Sequence, residues 1–344
     1  MKLRTFLFLF SVTLLIACGP NNPADRFKEA VPAEEDEKLV DLNIKRLDQD
    51  FFKTTPQNVN SQIDSLRKKY GDFFDLYLYA IAKISIPDDP LLDQKILYYV
   101  NDGDIKIIQQ DITKQYADLT GLKEQLQRGF TRYKHFFPKK SVPTIVTFTS
   151  GFNLANATTV NELGIGLDMY LGRNYGYYNN LQFPEYKTLS CTKEYIATDA
   201  MFNWCVTEFV DSSTNVLGFM LHQGKMLFLL DAIYPDVPDT IKLRYSNKQY
   251  QWCHQNESTI WATMVDQEAL YSTNGKDINK YCDEHPFTPG FPRESPGRIG
   301  NWIGWQIVKA YMAKHTDLSM EDLFKLKDPQ KFLSESGYRP PKVN

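Results

Sequence analysis

The first eighteen residues constrain this chain more than any other stretch. MKLRTFLFLFSVTLLIAC begins with two cations, Lys2 and Arg4, and continues into an apolar run from Phe6 to Ile16 that only Ser11 and Thr13 interrupt. A helix needs about 20 apolar residues to cross the hydrocarbon of a bilayer, so this run reads as a secretory leader and not as a span. It closes on Leu15-Ile16-Ala17-Cys18, the pattern of a lipobox. Small Ala17 suits the signal peptidase, and the Cys18 thiol is the acceptor for a diacylglyceryl group. Each buried methylene of the acyl chains contributes roughly 0.8 kcal/mol of anchoring. No other apolar run of that length is read downstream, so the expectation is a body attached to the membrane through Cys18, without spanning it.

The domain reading is residues 1–17 a lipoprotein signal peptide, 18–38 a flexible tether, and 39–344 a single folded domain. The tether assignment rests on Pro20, Pro23 and Pro32 and on the acidic run Glu34 to Glu37. The residues directly after Cys18 are Gly19, Pro20, Asn21, Asn22 and Pro23, none of them acidic. That favours a lipid-anchored protein of the cell envelope that faces the periplasm. With 42% hydrophobic and 24% charged residues, the remainder has the composition of a globular domain. A net charge of −3, with no basic stretch, argues against nucleic acid as a partner. Cys191, Cys205, Cys253 and Cys282 contain no C-x-x-C pair, which argues against a zinc–thiolate site and leaves their pairing open.

Periodicity places the elements. Leu39–Leu47 alternates as a strand, and 59–136 is helical in pattern, broken near Pro87 and Pro90. The β-branched stretch 142–152 and the segment 161–172 read as strands that pair as a hairpin, with Gly164 and Gly166 marking a close approach. After an irregular stretch at 175–189, helices are expected over 195–210, 215–232, 250–266 and 297–314. Ser319 and Asp322 form an approximate capping box. Gly297, Gly300 and Gly304 lie on one side of the 297–314 segment, where another helix could approach. The fold class expected is α+β, mostly helical, with a small sheet.

The chemistry-bearing motifs are sparse. The chain has no G-x-G-x-x-G, P-loop, G-x-S-x-G or H-E-x-x-H, and none of its five histidines are spaced to share one helix face. In zinc peptidases an edge strand lies beside the helix that carries H-E-x-x-H. Laid on that plan with Glu208 as the acid, Thr207 and Asp211 take the two histidine positions and Gln223 approximates the third ligand. These are degenerate metal-site positions on a zincin-like core, so no catalytic residue, metal or cofactor is expected. His222 with Lys225 one turn on, and Asp168 in its strand, read as structural. Arg298 reads as an anion ligand or an internal ion-pair partner, internal pairing being the default.

The segments KRLDQDFF, HFFPKKSVPTIVTFTSGF, GIGLDMYLG, QGKMLFLLDAIYPDVPDT, YQWCHQNESTIWATMV, LYST, HPFTPGFPRESPGRIGNWIGWQIVKAYM and SGYRP occur in order from about residue 40 to the C-terminus. In these, the chain resembles the gliding-motility lipoprotein GldB family, itself similar to zinc metallopeptidases. The resemblance implies a membrane-anchored lipoprotein required for gliding, with partners in the gliding and type IX secretion machinery. It carries the lipid site over to Cys18 and carries over no catalytic residue. The expectation is a non-catalytic scaffold or assembly factor. The alternatives are an active zinc-type peptidase or hydrolase, using Glu208 or His222, and a cell-wall glycan-binding lipoprotein that stacks sugars on its many aromatics.

Overall fold

A computed structural model of the protein describes residues 22–31 and 38–341. The leader, Cys18 and much of the expected tether lie outside the described residues. About 60% of the structure is helical, with one small four-stranded mixed sheet, in agreement with the α+β expectation.

The strands are β1 (Ile44–Arg46), β2 (Thr144–Phe148), β3 (Asn156–Thr158) and β4 (Glu162–Gly166), in the sheet order β1-β2-β4-β3. β1 pairs parallel with β2, and β2 pairs parallel with β4, with Ile145 opposite Leu163 and Phe148 opposite Gly166. The expected hairpin of 142–152 with 161–172 is therefore wrong. The segment between them supplies β3, which turns back antiparallel on β4 and lets β4 run parallel to β2. The three residues Asn156, Ala157 and Thr158 carry too little β-pattern to mark β3 as a strand.

Alternation splits the core across the two sheet faces. Val146 and Phe148 join a cluster with Phe51, Tyr70, Phe73 and Tyr77. Ile145, Leu163 and Ile165 face the larger cluster built by the C-terminal helices. Gly164 is required on the first face, since a Cβ there would lie 2.5 Å from Phe73 and 2.7 Å from Phe148. The buried Asp48 carboxylate accepts from Thr147 Oγ1 at 2.5 Å and pairs with Arg46 at 2.7 Å, which ties β1 to β2. Asp168, fully buried, accepts from Ser150 N, Ser150 Oγ and Phe152 N, and so pins the tight turn after β2. That is the structural role expected of it.

The principal helices are α1 (Asp25–Ala30), α2 (Val59–Tyr70), α3 (Leu92–Asn101), α4 (Gly103–Gln115), α5 (Thr120–Phe136), α6 (Ile196–Glu208), α7 (Val216–Ile233), α8 (Asn247–Asp266), α9 (Gly275–Cys282), α10 (Ile299–Lys314), α11 (Met320–Lys325) and α12 (Pro329–Ser336). α1 corrects the tether reading for residues 22–31. Ala24, Phe27 and Val31 recur at helical spacing and are buried, Phe27 meeting Phe136 and Phe228 edge-on. Arg132 Nη2 donates to Lys28 O at 2.9 Å, and Arg26 Nη2 donates to Leu318 O at 3.1 Å. The prolines and acids that suggest a tether flank a short amphipathic helix.

α7 also departs from expectation. Its 18 residues are long and apolar enough to cross a membrane, but 83% of that stretch is buried inside the protein, which makes it the central core helix. α10 crosses it where Gly224 meets Gly304, and a Cβ on Gly304 would run into the Met220 backbone. Gly300 and Gly304 thus serve the close helix approach expected of them, whereas Gly297 precedes α10 and packs against the backbone of His285 in a loop. The capping box at Ser319 and Asp322 forms at the start of α11. Trp204, Trp302 and Trp305 are wholly buried. The four cysteines described are free thiols.

Alanine is the better helix former by about 1 kcal/mol, yet Gly304→Ala is expected to cost about 2 kcal/mol or more, because the added methyl pushes α7 and α10 apart. Urea unfolding checks this: an unchanged midpoint would show that the crossing tolerates a side chain.

Candidate functional site

The four positions selected by analogy with a zinc peptidase do not converge. α6 ends at Glu208, so Asp211 lies beyond its last turn and does not share a helical face with Thr207, contrary to expectation. Thr207 Oγ1 meets Thr158 Oγ1 of β3 at 2.8 Å. Glu208 pairs with Lys140 at 2.9 Å and accepts from the Tyr133 hydroxyl at 3.4 Å. Asp211 lines a cleft of about 20 Å³ with His222 and Lys225, room for about one water, and Gln223 is not part of that wall. Lys225 Nζ donates to Leu326 O at 2.5 Å. Burial lowers the His222 pKa against the opposing pull of Asp211. Among the described residues, no group of three or more His, Cys, Asp or Glu is arranged to hold a metal ion.

A different cavity concentrates the polar chemistry. It occupies about 140 Å³ between α6, α7, the single helical turn Asp239–Leu243 and the start of α10. Asp199 and Asn203, four apart on α6, share one face and both line it. Arg244 enters from the end of the 239–243 turn, and Arg298 from the N-cap of α10, with Asn301 one turn on. Both arginines sit in the left-handed backbone region, at φ 55° and 56°. For a residue with a Cβ that conformation costs about 1–2 kcal/mol, a strain that persists where surrounding structure imposes it.

The charges oppose one another without close contact. Glu284 Oε1 lies 3.4 Å from Arg244 Nη1 and 3.6 Å from Arg298 Nη1, and Asp199 Oδ1 lies 3.8 Å from Arg244 Nε. Tight charge-assisted bonds run about 2.7–2.9 Å. Closer contacts bind the arginines elsewhere: Arg244 Nη2 donates to Ser190 Oγ at 2.5 Å, and Arg298 Nη2 donates to Leu243 O at 3.2 Å. The Tyr170 hydroxyl donates to Asp199 Oδ2 at 3.0 Å. Burial pushes the Asp199 carboxyl up, against the pull of Arg244. Burial also works against the Arg244 charge, but Asp199 and Glu284 outweigh it and hold the guanidinium ionised. Burial and the neighbouring Arg244 lower Arg298.

Asn301 is 8% exposed, and its Oδ1 is enclosed with no hydrogen-bond donor among the described residues. Arg298 shows the internal pairing expected of it. Sequence reasoning misses Asp199, Asn203, Arg244, Glu284 and Asn301. The one available signal is the pair of polar residues four apart on the otherwise apolar IATDAMFNWCV stretch.

A family model described as gliding motility protein GldB matches residues 28–340, nearly the whole chain. No curated protein and no solved structure gives a significant match.

Burial, with Lys327 alongside, brings Lys225 down from 10.5 to about 8. The unfolded chain then binds this proton more readily than the folded one between pH 8 and 10.5, so stability from this group rises with pH across that window. Lys225→Met is expected to remove that rise, up to about 3 kcal/mol between the two ends. Urea unfolding of both proteins at pH 8 and pH 10 measures it, and equal slopes for the two would refute the assignment.

Proposed function

The chain belongs to the GldB family of gliding motility proteins, and on that basis we propose that it serves gliding as a lipid-anchored, non-catalytic scaffold or assembly factor of the cell envelope. The observation that carries the proposal is the family match along residues 28–340, joined to the lipobox ending at Cys18. Under this reading Cys18 carries the lipid, the body faces the periplasm, and its partners belong to the gliding and type IX secretion machinery. Because α1 docks on the body and Ala24 is buried in it, only Gly19 to Pro23 separate the lipid from the folded surface. Five residues at roughly 3.5 Å each reach at most about 18 Å, so α1 and the neighbouring surface near Leu318 face the bilayer.

A zincin-like layout is part of the proposal. What supports it is the antiparallel edge strand β3 lying against α6, joined through Thr158 to Thr207 and through Asn156 Oδ1 to Asn203 Nδ2 at 3.1 Å. The i, i+4 pair that α6 turns toward the cavity is Asp199 and Asn203, so no imidazole is available there to grip a zinc ion. This supports a scaffold over the peptidase reading. The glycan-binding alternative has less behind it, because three of the five tryptophans, Trp204, Trp302 and Trp305, are wholly buried in the core.

A strain carrying Cys18→Ser is expected to lose colony spreading and to release the protein from the membrane fraction. One carrying Glu208→Gln should spread normally and leave the purified protein's metal content unchanged. Normal spreading with Cys18→Ser would overturn the anchored reading. Lost spreading with a stably folded Glu208→Gln protein would overturn the non-catalytic one.

A further inference from the structure

Three openings adjoin one another around the arginine pair. An open groove of about 910 Å³ has Tyr186, Gln249 and Trp252 in its wall. Tyr186 and Gln249 also line a neck of about 20 Å³, where Arg244, Tyr245 and Arg298 first appear. Those three residues then line the 140 Å³ cavity that holds Asn301.

The cavity presents an unmatched set of hydrogen-bonding groups. Two guanidiniums present about ten N–H donors, and their carboxylate partners stand at 3.4–3.8 Å, which neutralises the charge without saturating the donors. Asn301 also lines the cavity, although its Oδ1 is enclosed and out of reach of a molecule lying there. A group that completes this set must therefore offer acceptor oxygens to the arginines. A cavity of about 150 Å³ holds a molecule of about benzene's size, six heavy atoms. An alanine unit has that size.

We propose that this cavity binds a small carboxylate of about alanine's size, held by Arg244 and Arg298. The chemistry is shared by a free amino acid and by the carboxyl end of a peptide lying in the groove. Bidentate carboxylate recognition suits the planar guanidinium fork. Glu284, whose side chain is 38% exposed, competes for both arginines and acts as a counter-charge that the ligand displaces. The proposal goes beyond the motility role and stands apart from it, since a failure of binding would leave the scaffold reading intact.

The test is calorimetric titration of the full-length protein in detergent with L-alanine, with acetyl-trialanine bearing a free carboxylate, and with its C-terminal amide. At least one of the two acids is expected to bind, and the amide at least about tenfold more weakly than the tripeptide acid if that is the acid that binds. Tighter alanine assigns the site to free amino acids, and tighter tripeptide assigns it to a chain end. Arg298→Asn keeps a residue tolerant of the left-handed backbone and should weaken binding about tenfold or more. Glu284→Gln should strengthen it several-fold by freeing the guanidiniums, an opposite sign that a purely structural cluster would not produce. Binding of neither acid, equal binding of tripeptide acid and amide, or unaltered affinity in folded Arg298→Asn overturns the proposal. Should circular dichroism show Arg298→Asn unfolded, Glu284→Gln decides alone, and an unchanged or weaker affinity overturns it.

Discussion

The crossing of α7 and α10 at Gly224 and Gly304 governs the placement of the elements around it. Two helix backbones can approach this closely only where neither carries a side chain, and that contact fixes how α10 lies along the core helix. The N-terminal end of α10 is thereby held opposite α6, which places Arg298 and Asn301 across a cavity from Asp199 and Asn203. A second restraint comes from Asp231 in α7. It accepts from Lys242 Nζ at 2.8 Å and Trp305 Nε1 at 3.0 Å, with Lys309 at 3.7 Å. A buried carboxylate left without partners costs several kcal/mol, so this network locks the 239–243 turn and α10 onto the same helix. Arg244 comes directly after that turn.

The cavity is where local and global preference disagree. Arginines at positive φ, ion pairs stretched past bonding distance and an orphaned amide oxygen are each unfavourable in isolation. They coincide in one place, whereas elsewhere in the core buried carboxylates such as Asp48 and Asp168 are satisfied at short range. The polar positions that a zinc-peptidase comparison brings to mind lie at the far end of α6. There, Glu208 is neutralised by Lys140 and Thr207 bonds across to β3.

Legibility in the sequence varies with the range of the interaction. The helices α6, α7, α8 and α10 are legible to within a few residues, because apolar periodicity and caps are local. The short strand β3 and the sheet order are not. Parallel pairing of β2 with β4 depends on a chain reversal that three residues, Asn156 to Thr158, do not announce. α1 is hidden by its proline-rich and acidic flanks, although Ala24, Phe27 and Val31 carry the helical spacing. α7 reads as one helix among several, and only its surroundings make it central.

Sequence alone determined the lipobox pattern Leu15-Ile16-Ala17-Cys18, the α+β class, the family and the glycines that let helices touch, since each is written in contiguous residues or in their spacing. Tertiary structure alone decided which polar residues meet. Asp199, Arg244, Glu284, Arg298 and Asn301 come from α6, a turn, a loop and the start of α10, and no local pattern encodes a convergence across about a hundred residues. Electrostatic and hydrogen-bonding partners act over a few ångströms of space, whatever their separation along the chain, so the site exists only once the core helices have packed.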